Sequence, residues 1–258
     1  MIPDRTRTTP KWTPELKDPI LGLFWYDSNM KIPGIIGGLG PETTANFYLQ
    51  LNQLAIKNNF SIRPACLIWN TPIPYNIEQQ LLLGNTGIEK YEPYLVDAAK
   101  HLESGGADFI VIPCNTVHLL IEKVRQATSL PVISIVDETA LVLQLNGVKR
   151  VLVLATEQTV SSNLYSKQLK SRGVEEINIT QPQQAEINEI ILRLVHSKQT
   201  DTDKQKLIEI IQSYKTNAGA TVFACSDLHS LVAPSEKAKV FDSMEILAEA
   251  TIREIQKD

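Results

Sequence analysis

Short apolar runs recur along the chain, and each is followed by a stretch in which apolar residues return every three or four positions. The first run, IPGIIGG at 32–38, is bounded by Gly40-Pro41 and predicts a buried strand. Helical spacing follows through ETTANFYLQLNQLAI, with Pro41 suited to a first helical position. ACLIWN (65–70) predicts a strand, and 87–104 a helix that ends at Gly105-Gly106. DFIVIP (108–113) and PVISIV (131–136) predict two more strands, with helices over 116–128 and 138–145 and a stop at Gly147. RVLVLAT (150–156) starts the alternation again. A helix over 159–171, a strand at 176–180, helices around 184–196 and 202–216, strands at 221–225 and 240–244, and a last helix over 245–256 complete the pattern. Alternation of this kind gives an α/β fold with parallel sheets and helices on both faces, and ligands bind beyond the carboxyl ends of such strands.

A short internal echo suggests two related halves. Gly106-Ala107-Asp108 leads through FIVIP to Cys114-Asn115-Thr116-Val117-His118-Leu119-Leu120. Gly219-Ala220-Thr221 leads through VFA to Cys225-Ser226-Asp227-Leu228-His229-Ser230-Leu231. Both are a Gly-Ala turn, an apolar strand, then Cys-x-x-x-His-x-Leu entering a helix. Residues 1–31, with four prolines and Trp12, Phe24, Trp25 and Tyr26, stand apart as an N-terminal appendage.

Composition narrows the class. An apolar content of 43% and a charged content of 21% over 258 residues are those of a soluble globular chain. A net charge of −4 and the lack of a basic run give a nucleic-acid partner no support. No apolar stretch approaches the roughly 18 residues of a spanning helix, so no membrane partner is expected. The N-terminus lacks the apolar core of a signal peptide, and a cytoplasmic location is the expectation. Cys66, Cys114 and Cys225 are odd in number and far apart, which suits free thiols. Cys66 opens a strand and reads as a core residue.

Cys114 and Cys225 instead fall where a strand hands over to a helix. Unpaired N–H groups and a positive helix end favour an anion there and can lower a thiol pKa from about 8.5 towards neutrality. Such a thiol serves as base or acid alike. A thiolate on one face of a planar carbanion and a thiol on the other invert a carbon centre. Asn115, Thr116 and Ser226, at helix starts, suit a substrate carboxylate. Asp227, and Asp137 or Glu138, are placed to meet a positive group or to adjust a thiol. His118 and His229 are thiol partners or packing residues. The loop from Gly37 to Thr44 lets backbone approach a ligand. Its glycines do not form G-x-G-x-x-G, and the second strand ends in Asn70-Thr71-Pro72 with no acidic residue, so a dinucleotide site is not indicated.

IPGIIGGLGPETTANFY, GGADFIVIPCNTVH with LPVISIVDETA, and ATVFACSDL together resemble the aspartate/glutamate racemase family from about Ile32 to the end. The resemblance implies two similar three-layer α/β/α lobes, at 32–136 and 137–242, with the C-terminal helix 243–258 completing the first and the active site in the cleft between them. It implies racemisation of a small amino-acid substrate without pyridoxal phosphate or metal, commonly in a homodimer. It carries over Cys114 and Cys225 as the acid/base pair, Asn115, Thr116 and Ser226 as carboxylate binders, and Asn70 and Thr44 as pocket residues; Asp227, His229 and Glu138 are candidates for acid/base support. The loop 70–78 has no basic residue where aspartate-specific relatives carry an arginine, which leaves the substrate's side chain open. Alternatives are a single-thiol isomerase or decarboxylase of the hydantoin racemase, maleate isomerase or arylmalonate decarboxylase type, and a non-catalytic amino-acid-binding relative.

Overall fold

A computed structural model describes residues 30–84, 86–232 and 239–257; the expectations for 1–29 lie outside them. Two four-stranded sheets, every pairing parallel, form the frame. The first holds β1 (Pro33–Gly37), β2 (Leu67–Asn70), β3 (Phe109–Val111) and β4 (Val132–Ile133) in the order β2-β1-β3-β4. The second holds β5 (Arg150–Leu154), β6 (Glu175–Ile177), β7 (Ala220–Phe223) and β8 (Val240–Asp242) in the order β6-β5-β7-β8. The order is the same in both, so the Cys-x-x-x-His echo leaves the third strand of each sheet.

The helices are α1 (Pro41–Lys57), α2 (Tyr75–Gly84), α3 (Glu92–Ser104), α4 (Ile121–Ala127), α5 (Ile135–Leu145), α6 (Glu157–Ser161), α7 (Ser166–Ser171), α8 (Gln181–Val195), α9 (Asp201–Ser213) and α10 (Ser243–Ile255). Side chains on successive strand residues point to opposite faces, and this divides the core into layers. Ile36, Ile110 and Ile112 pack outward with Leu95, Ala98 and Ala99 of α3. Leu152, Leu154 and Phe223 pack outward with Ile187, Ile190 and Ile191 of α8 and Leu207 of α9. Ile35 and Val111 of the first sheet share one cluster with Val151, Val153 and Val222 of the second, through Phe47 and Leu51 of α1, Leu143 of α5, Leu169 of α7 and Leu247 of α10. The helices between the sheets therefore serve both. α10 packs along α1 and α5, and Arg253 on α10 holds Glu138 on α5 at 2.6 Å.

Several boundaries differ from the sequence expectation for local reasons. PVISIV is split: β4 stops at Ile133, and Ser134 caps α5 by accepting from Asp137 N–H at 3.1 Å. The expected boundary between 136 and 137 thus falls inside α5. The helix expected at 159–171 is two, α6 and α7, broken near Asn163, which has φ +54°. α2 was not expected, since Pro72 and Pro74 read as loop. In the structure Ile77 and Glu78 N–H donate to the Pro74 carbonyl, and Ile77 and Leu81 pack on the outer cluster of the first sheet. Cys66 is half-buried against the central cluster.

Candidate active site

Where helices were expected to start at the two cysteines, the chain forms short 3-10 turns, Thr116–Leu120 and Ser226–Leu231. Each turn is tied to the other half of the molecule. Thr116 Oγ1 lies 3.1 Å from Thr156 Oγ1 and 3.0 Å from Thr159 Oγ1, at the start of α6 beyond β5. In the other direction, Thr43 at the start of α1 lies 3.4 Å from Ser226 Oγ and donates to Asp227 Oδ1 at 3.3 Å. The Asn115 amide donates to Ser243 Oγ at 3.0 Å, and its Oδ1 accepts from the Tyr165 hydroxyl at 2.5 Å. Both turns face one cavity of about 640 Å³, lined by Cys114, Asn115, Thr116, Cys225, Ser226 and Asp227 among others. Gly38 to Glu42, Tyr75, Glu78, Tyr91, Thr156 to Gln158 and one face of α8 complete its wall.

The thiols do not rest near neutrality. Burial pushes the Cys114 thiol up to about 11, although the Val117 and Thr116 N–H groups pull it down. Cys225 is pushed well above its ordinary range by burial first and then by the Asp227 carboxylate, whose Oδ2 lies 3.6 Å from Sγ. This corrects the expectation of low thiol pKa values. A single 3-10 turn offers few aligned dipoles, and desolvation of a thiolate outweighs them. Burial also raises the Asp227 carboxyl.

Four expected site residues stand outside the cavity wall. The Thr44 hydroxyl accepts from Gly38 N–H and donates to the Gly40 carbonyl, both at 3.0 Å, so it shapes the glycine loop instead of facing the cavity. Asn70 is exposed and backs that loop. Gly38 has φ +79°, and a Cβ there would lie 2.8 Å from Asn70 Oδ1 and from Thr71 N, so only glycine fits. Glu138 is engaged by Arg253, away from the thiols. His229 pairs with Asp242, the residue that caps α10 through Met244 N–H. His118 is a strut: Ile135 N–H donates to its Nε2 at 3.1 Å, so Nδ1 carries the proton and donates to the Cys114 carbonyl at 2.7 Å. Burial lowers its pKa to about 4, and it stays neutral. Thr43, Thr156, Thr159, Tyr165 and Ser243 went unnoticed in the sequence. The echo was the available signal: carried back to the first strand of each half, it leads to Thr43 after β1 and Thr156 after β5.

Among the described residues, no three His, Cys, Asp or Glu side chains are grouped to hold a metal ion, and no helix is long and apolar enough to cross a membrane.

Known proteins bear on this geometry. The profile described as "Asp/Glu/Hydantoin racemase" matches residues 36–251. The broad specificity amino-acid racemase RacX of Bacillus subtilis is 31% identical over 227 residues, covering 85% of this chain and 96% of its own. A crystal structure of a putative Asp/Glu racemase from Yersinia pestis superposes with a TM-score of 0.77 at 25% identity, over 88% of this chain and 100% of that one. An aspartate racemase homologue from Pyrococcus horikoshii gives 0.74 at 27%, with the same coverage. The match over residues 36–251, with a relative 31% identical along nearly its whole length, establishes that the chain belongs to the Asp/Glu/hydantoin racemase family and so to the isomerases.

Proposed function

We propose that the chain racemises an amino acid with Cys114 and Cys225 as the two proton carriers, without pyridoxal phosphate or metal. What carries this is one observation: both thiols line a single cavity, each leaving the third strand of its own sheet. The cavity wall has no lysine among the described residues to form a Schiff base, and its volume is ordinary for a small-molecule site. The ionised thiol takes the α-proton, the C–H electron pair spreads into the substrate carboxylate, and the opposite thiol delivers its proton to the other face of the same carbon. One S–H forms, one breaks, and the reverse reaction starts from the swapped state. Backbone N–H groups at the two turns, Thr116 and Ser226 are the natural carboxylate holders. The substrate's own ammonium group, entering a buried site, favours the thiolate. The free state of all three cysteines suits the cytoplasm, and a homodimer is the assembly we expect.

The test is loss of the α-proton signal from a panel of L-amino acids in heavy water without added cofactor. We expect exchange on at least one, and a fall of about 10²–10⁴-fold in racemisation for Cys114→Ser and for Cys225→Ser. Folded protein that exchanges nothing overturns the enzyme reading. Full turnover in Cys225→Ser with none in Cys114→Ser points to single-thiol chemistry instead.

A further inference from the structure

The carboxylates on the cavity wall are Glu42, Glu78, Glu157, Glu189 and Asp227, and no lysine or arginine lines it among the described residues. Glu189 is neutralised by Arg193 at 3.3 Å, and Asp227 is held by Thr43 and Cys225. Glu78 on α2 and Glu157 at the start of α6 are half-buried and have no cationic partner among the described residues. They stand on opposite sheets: α2 follows β2, and α6 follows β5. Glu78, Tyr91 and Cys114 line the same cavity, and the charges of Glu78 and Cys114 both raise the Tyr91 phenol. A side-chain carboxylate brought into this space meets like charges, with His196 the one basic side chain on the wall among the described residues and its Nδ1 tied to the Leu192 carbonyl, while an ammonium or guanidinium group supplies the missing counter-charge in a partly desolvated site.

We propose that Glu78 and Glu157 make this cavity select amino acids whose side chain ends in a cation over aspartate and glutamate, an inference that rests on the racemase reading above. The α-carboxylate stays with the N–H groups of the two turns, and the carboxylates of α2 and α6 take the far end of the substrate.

The experiment compares α-proton exchange in heavy water for L-lysine, L-arginine, L-norleucine, L-glutamate and L-aspartate. Lysine and norleucine share a chain length and differ in charge. We expect lysine or arginine to exceed norleucine at least about tenfold in kcat/KM, with glutamate and aspartate below norleucine. Glu78→Gln and Glu157→Gln each lower the lysine-to-norleucine ratio about 10- to 100-fold, mainly through KM. Added salt lowers the ratio in the unaltered protein, a readout that needs no variant. Glutamate turned over as well as lysine, or a ratio unmoved by salt and by both substitutions, overturns the selectivity and leaves the racemase standing. Exchange on none of the five overturns the selectivity, and exchange on nothing in the wider panel overturns the racemase reading itself.

Discussion

Two residues past Cys225, the Asp227 carboxylate lies 3.6 Å from its sulfur, and the charge there raises both thiols. That sets a sign for the pH profile. A raised thiol pKa means the base form grows as pH rises, so kcat/KM is expected to climb with pH from 7 to 9, where it reports ionisation of the free protein. Asp227→Asn removes a negative charge facing both sulfurs, and the climb moves to lower pH. A profile already flat from pH 6, or one displaced upward by Asp227→Asn, contradicts the assignment. The position of both thiols was legible in the sequence, because a strand end and a Cys-x-x-x-His repeat are local signals. The direction of their pKa shift was not. Desolvation comes from burial in a cavity whose wall is built by elements remote in sequence from either cysteine.

Between elements, hydrogen bonds cross from half to half in a reciprocal way. The Cys114 turn is bonded to the start of α6, and the Cys225 turn to the start of α1. Within the first half, His118 joins the Cys114 carbonyl to the first turn of α5, which follows β4. Its buried neutral state has a measurable consequence. The folded pKa of about 4 lies below the ordinary 6.5, so the unfolded chain binds the extra proton between those values. Stability from this group is present above pH 6.5 and is lost as pH falls towards 4, by roughly 3 kcal/mol at most. His118→Gln is expected to be less stable at pH 7 and to lose less than the unaltered protein between pH 7 and pH 4.5, in urea unfolding. Parallel losses in the two proteins remove His118 from this role. Sequence spacing put His118 near a thiol. Only the packing of α5 against the turn turned it from a candidate acid into a strut, as the pairing of Glu138 with Arg253 removed another candidate from the site.

Across the whole molecule, α1, α5, α7 and α10 form one apolar layer between the sheets, and residues of both sheets belong to the same cluster. Two lobes sharing a core do not unfold separately. A single cooperative calorimetric transition is therefore expected, and two resolved transitions would show that the sheets melt as independent units. The alternation of apolar strands with helical spacing, the two related halves marked by the Cys-x-x-x-His echo, and the residue types at the two strand ends were all determined by sequence alone. They depend on local periodicity and turn chemistry, which a chain carries without its neighbours. The tertiary structure decided the rest. It set which side chains face the cavity, that burial lifts the thiols, that Thr44, Asn70, His229 and Glu138 stand behind or away from the wall, and that Glu78 and Glu157, from different sheets and without a cationic partner among the described residues, share one space. Thr44 aside, which bonds within its own glycine loop, these follow from contacts between residues tens to hundreds of positions apart, and such contacts exist only once the two sheets close on a common core.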